Sequence, residues 1–123
     1  MNPQDAPPQQ VLTLPGAIAL SAFRVEKLLA CLPGSLASAV SIETRFVHFA
    51  ALAAPLAAAE TQVLEKLLTY GTPAQGAPRG TLLLVLPRLG TVSPWSSKAT
   101  DIARNCGLAA VARLERGVAY HVR

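Results

Sequence analysis

Cysteine, charge and aromatic side chains are all scarce in this chain. It has two cysteines in 123 residues, Cys31 and Cys106, with no CxxC and no Cys/His cluster. A disulfide framework and a zinc site are thereby excluded. Charged residues make up 15% and aromatics 5%, so the chain lacks the clustered basic residues, interleaved with aromatics, of a nucleic-acid arm. The opening MNPQDAPPQQ has no basic segment ahead of an apolar stretch, which argues against a secretory signal. Uncharged apolar runs free of proline fall far short of the about 20 residues that cross a bilayer. The expectation is a reduced, cytoplasmic domain with neither membrane nor nucleic acid among its partners.

What is present is a core. Half of the residues are hydrophobic (51%), enough for one domain of this size, and 10 prolines with 8 glycines divide it. The net charge of +4 is unevenly spread, because seven of the 11 Lys and Arg residues lie after residue 78.

Residues 1–10 read as a flexible tail and 11–123 as one domain. Val11–Leu14, stopped by Pro15-Gly16, suggests an edge strand. From Ser21 the period lengthens. Phe23, Val25, Leu28, Leu29 and Cys31 form an apolar helical stripe, with Ser21 as its cap and Pro33-Gly34 as its stop. Val40–Phe49 alternates as a strand, with Val40, Ile42, Thr44, Phe46 and His48 on one face. Ala58–Tyr70 is a helix with Val63, Leu64, Leu67, Leu68 and Tyr70 inward. Thr81–Leu86 is continuously apolar, the pattern of a strand buried on both faces. Pro87–Trp95 reads as a loop and Ser96–Cys106 as a helix. Ala110–Val122 is a closing strand with a bulge or bend at Gly117. The order β-α-β-α-β-α-β predicts an α+β fold, an open-faced α/β sandwich with helices on one face of the sheet. A loose internal echo suggests two βαβ-like halves separated by an extra helix.

One stretch could carry chemistry. Pro87–Ile102 follows a strand and opens a helix, where backbone N–H groups face outward and bind anions. Thr91, Ser93, Ser96 and Ser97, with Arg88 and Lys98, would suit a phosphate or carboxylate. Capping accounts for the same residues: Ser93-Pro94 is a cap followed by proline at the first helical position. A Walker loop fails, because Gly90 has no second glycine before Lys98 and Ala99 follows the lysine. SxxK fails because Trp95 stands three residues before Lys98, and no GxSxG occurs. Cys106 lies at a helix C-terminus, where the dipole disfavours a thiolate, and reads as a half-buried packing residue. His48 and His121 read as structural. Trp95 is a candidate interface anchor or a cover for the end of the core.

The string LPRLGTVSPWSSKATDIARNCGL, followed by VARLERGVAYHV, closely resembles the N-terminal domain of the large single-chain phosphoribosylformylglycinamidine synthases. ALSAFRVEKLLACLP, FVHFAALAAPLAAAE and LEKLLTYG are similar to its preceding segments in the same order, so the resemblance covers about residues 12–122. It implies a non-catalytic domain, like two fused copies of a small accessory subunit. Its implied partners are the synthase and glutaminase regions of the same enzyme. That enzyme uses ATP, magnesium and glutamine to convert formylglycinamide ribonucleotide to its amidine. The residues for that chemistry belong to regions that this sequence does not include, so no cofactor is expected on the chain itself and no activity from it alone. Arg88, Thr91, Ser93, Trp95, Ser96, Ser97 and Lys98 are the expected interdomain or substrate-proximal surface. Leu89 departs from the family's PRPGT version, in which proline stands there.

Overall fold

The computed structural model describes residues 10–88 and 90–123. The expected tail lies outside them except for Gln10, which belongs to the first strand, and Leu89 also lies outside the described residues. The elements are β1 (Gln10–Pro15), α1 (Ala22–Ala30), α2 (Gly34–Ala37, a single turn), β2 (Ile42–Leu52), α3 (Ala58–Leu67), β3 (Thr81–Val85), α4 (Pro94–Asn105) and β4 (Val111–Val122). One four-stranded sheet runs β1-β2-β4-β3, with every neighbouring pair antiparallel. The architecture is the expected α+β sandwich.

Register sorts the side chains. Phe46 pairs with Val118, His48 with Arg116 and Ala50 with Leu114, so the even-numbered residues of β2 and β4 share the helix-covered face. Leu12 and Leu14 of β1 join them opposite Ala50 and His48. Against this face α3 delivers Leu64 and Leu68, and α4 delivers Ala103, closing a core with Ala50, Leu52, Leu108, Val111 and Leu114. Each large aliphatic side chain fully buried here is worth about 1.5–3 kcal/mol in removal from water.

The sheet order is a palindrome of two β-α-β halves, β1-α1-β2 and β3-α4-β4, joined through α3. The sequence echoes this. Leu14-Pro15 precedes Ser21 and Phe23 at the same spacing as Leu86-Pro87 precedes Ser93 and Trp95. Ser21 and Ser93 are both helix N-caps, accepting from the N–H of Arg24 and of Ser96. The internal echo is therefore a repeated supersecondary unit about the β2/β4 pair.

Several expectations require correction. β3 is exposed along its whole length, with Leu82 to Leu86 between 42% and 56% accessible. A continuous apolar run reads as doubly buried, but here it forms the sheet edge and no helix covers it. The stripe of α1 is likewise open: none of its residues is buried, and Phe23 is 63% accessible. α4 begins at Pro94, so Trp95 lies in its first turn rather than in a loop. Gly117 pairs regularly with Val47, while the register shift falls between Ala51 and Leu52. A Cβ at Gly117 would press on Leu86 Cδ2 at 2.6 Å, so close packing explains this glycine. Cys106 caps α4 and is exposed, as is Cys31.

Candidate functional site

The connection from β3 to α4 runs along the edge of β4 that β3 leaves uncovered, and hydroxyls stitch it there. Ser93 Oγ accepts the Ser96 N–H (3.0 Å) and donates to Glu115 Oε1 (2.8 Å). Ser96 is fully buried; its Oγ donates to the Leu114 carbonyl and accepts from Arg113 Nε at 3.3 Å. Thr100 Oγ1 accepts the Leu114 N–H at 3.0 Å. Small hydroxylated residues at these three positions let α4 approach β4 closely, and they satisfy strand groups that β3 does not reach. Arg113 completes the belt: Nη2 donates to the Thr91 carbonyl (3.0 Å) and pairs with Glu115 Oε2 (2.8 Å).

The seven sequence-predicted residues are thereby divided. Arg88 and Thr91 line a depression of about 300 Å³ on the open face, with Phe49, Leu86 and Glu115. Ser93 and Ser96 are committed to internal bonds, so the Ser96 hydroxyl does not face an incoming anion. Ser97 is exposed on the outer side of α4 near Asp101 and Arg104. Trp95 and Lys98 line a cleft of about 380 Å³ on the helix-covered face, together with Tyr70, Ile102, Leu114 and Arg116.

Behind that cleft lies a cluster that sequence reasoning missed. His48 is completely buried, its Nε2 2.7 Å from Tyr70 Oη, and its ring stacks on Trp95 with centroids 5.7 Å apart. Arg116 Nη1 donates to Tyr70 Oη at 3.0 Å. Its guanidinium lies 4.1 Å from the Phe46 ring centroid and 4.9 Å from that of Trp95. Such contacts attract a cation to the negative face of a ring. One clue was available: period-two spacing places Arg116 between Leu114 and Val118, on the face of an apolar strand that turns inward.

The electrostatics follow from this packing. Burial pushes the His48 imidazole down to about 4, and the neighbouring Arg116 charge adds to the effect. Backbone groups of Leu14 and Pro15 oppose the shift without reversing it, and Nδ1 makes no hydrogen bond of good geometry among the described residues. The histidine is neutral, held between Tyr70 and Trp95 as a spacer. Partial burial alone would raise the Glu115 carboxyl. Hydrogen bonds from the Arg116 N–H, Arg113 and Ser93 outweigh this and hold it below its ordinary value.

Among the described residues, no group of three His, Cys, Asp or Glu is placed to hold a metal ion, and no helix is long and apolar enough to cross a membrane. Residues 45–123 match the family described as formylglycinamide ribonucleotide amidotransferase N-terminal. The matched stretch runs from within β2 to the end of β4, and it contains the β3–α4 connection, Tyr70 and Arg116. β1 and α1 precede it and are tied to it by the repeat. The enzyme for which this family is named is an amidotransferase of purine biosynthesis. With more than half of its length matched, the chain belongs to the formylglycinamide ribonucleotide amidotransferase N-terminal family.

Proposed function

We propose that the chain is a non-catalytic scaffold domain, which docks the synthase and glutaminase regions of the parent enzyme and helps to shape ammonia transfer between them. The parent reaction, formylglycinamide ribonucleotide with ATP and glutamine to the amidine, ADP, phosphate and glutamate, takes its ATP and magnesium through those other regions. The observation that carries this reading is β3. Leu82, Leu83, Leu84, Val85 and Leu86 are all solvent-accessible on an edge strand with no charged residue to blunt it. Monomeric proteins protect such edges, so an unprotected apolar edge marks a surface that is covered in the working assembly. The adjoining Arg88 and Thr91 supply a polar margin to the same surface.

Purified chain added to the enzyme lacking this domain restores glutamine-dependent amidine formation. The double variant Leu82→Ser/Leu84→Ser, folded by circular dichroism, does not. Equal rescue by both proteins would remove β3 from the docking surface, and no rescue with all pieces folded and mixed in excess would count against docking in trans. In the intact enzyme, Trp95→Ala uncouples glutamine hydrolysis from amidine formation. Fully coupled turnover in that variant would show that the Trp95 side of the connection plays no part in transfer.

A further inference from the structure

The cleft between α3 and α4 has an unusual charge arrangement. Among the described residues its lining includes two cations, Arg116 at the floor and Lys98 at the rim of α4, and no acidic residue. The ion pair found among the described residues, Arg113–Glu115, faces the other side of the sheet. Of the five N–H donors a guanidinium carries, that of Arg116 commits one to a protein acceptor among the described residues, Tyr70 Oη. Phe46, Trp95 and Tyr70 hold its plane in place, at 4.1, 4.9 and 6.0 Å from their centroids. A planar cation fixed in this way, with donors to spare, is prepared for the two oxygens of a carboxylate or a phosphate. The remaining walls are apolar and aromatic: Leu67, Leu68, Ala99, Ile102 and the Trp95 ring. The volume of about 380 Å³ lies within the range of small-molecule sites, which extends from about 300 Å³ upward.

We propose that this cleft binds a small organic anion, with a carboxylate or phosphate on Arg116 and Lys98 and an aromatic or aliphatic body against Trp95 and Ile102. The site is separate from Leu82 and Leu84, the β3 residues that test docking: these pair with His121 and Ala119 and lie on the open face, whereas the cleft lies on the helix-covered face. It also differs from a helix N-terminal anion site, since Ser96 turns its hydroxyl to β4.

Trp95 is the only tryptophan, so its fluorescence reports directly on the cleft. The chain is titrated at constant ionic strength with phenyl phosphate, benzoate and benzyl alcohol. At least one anion produces a saturable change and the neutral alcohol produces none; the tighter of the two anions identifies the headgroup. Lys98→Gln, at an exposed position that leaves the fold intact, weakens binding by about threefold to tenfold. Arg116→Gln weakens it by about tenfold or more, and Arg116→Lys recovers part of the loss. The proposal is overturned if neither anion saturates by about 10 mM. Benzyl alcohol binding as tightly as the anions would overturn it too, as would Lys98→Gln binding like the parent. Should Arg116→Gln fail to fold, the Lys98 variant and the neutral analogue decide the matter.

Discussion

The two β-α-β halves share a spacing and a cap but differ in what their helices do. α4 carries three buried residues, Ser96, Thr100 and Ala103, and two of them bond directly to β4. α1 carries none, and presents Phe23 and Leu28 to solvent. The same layout thus yields one helix sewn into the sheet and one resting beside it. The difference comes from the side chains. Small hydroxylated residues permit close approach and supply hydrogen bonds. The apolar stripe of α1 offers no such hydrogen bonds to the sheet, and none of its residues is buried. An apolar stripe states that a surface wants cover; it does not state from which chain the cover comes.

The comparison sharpens through mutation, beginning with the core. Leu114→Ala removes a fully buried side chain beneath α4 and lowers unfolding stability by about 2–5 kcal/mol in urea titrations. Leu28→Ala, on α1, changes it by no more than about 0.5 kcal/mol. A comparable loss in both would show that α1 is packed after all.

A second test uses acid. An imidazole held at about 4 in the fold, against 6.5 when unfolded, means that the unfolded chain binds more protons between those values. Stability from neutral His48 is therefore complete above about pH 6.5 and declines as pH falls towards 4. The loss reaches about 3 kcal/mol at most. His48→Phe flattens the urea midpoint against pH in this window. Glu115, held below its ordinary value, contributes a further decline at lower pH, where its carboxylate becomes protonated.

The smallest effects compare the two caps. Ser93→Ala loses both the cap and the bond to Glu115, at about 1–2 kcal/mol. Ser21→Ala loses a longer, exposed bond of 3.3 Å and costs about 0.5 kcal/mol. Equal costs would mean that the stitching of Ser93 to β4 adds nothing.

The sequence makes the strands and caps legible because their signals are local. Alternation placed His48 on the same face as Thr44 and Phe46, and Ser93-Pro94 marked the start of a helix. The candidate cleft was legible only in part. Trp95 and Lys98 stood out on a connection rich in polar residues, but Tyr70 and Arg116 reach them from α3's end and from β4, and no local pattern records that meeting. The β3 leucines were misjudged for a related reason. A strand buried by its own domain and one left for another surface have the same composition.

The palindromic sheet carries a consequence for synthesis. β2 and β4 are the central strands, yet they come from opposite halves of the chain, so the sheet's middle ladder cannot form until the end of the domain has left the ribosome. The first half alone offers β1 and β2, a two-stranded ribbon of marginal stability. The emerging chain must therefore wait through most of its length with apolar faces uncovered. Its folding is governed by the closure of one long-range pairing rather than by growth from the N-terminus.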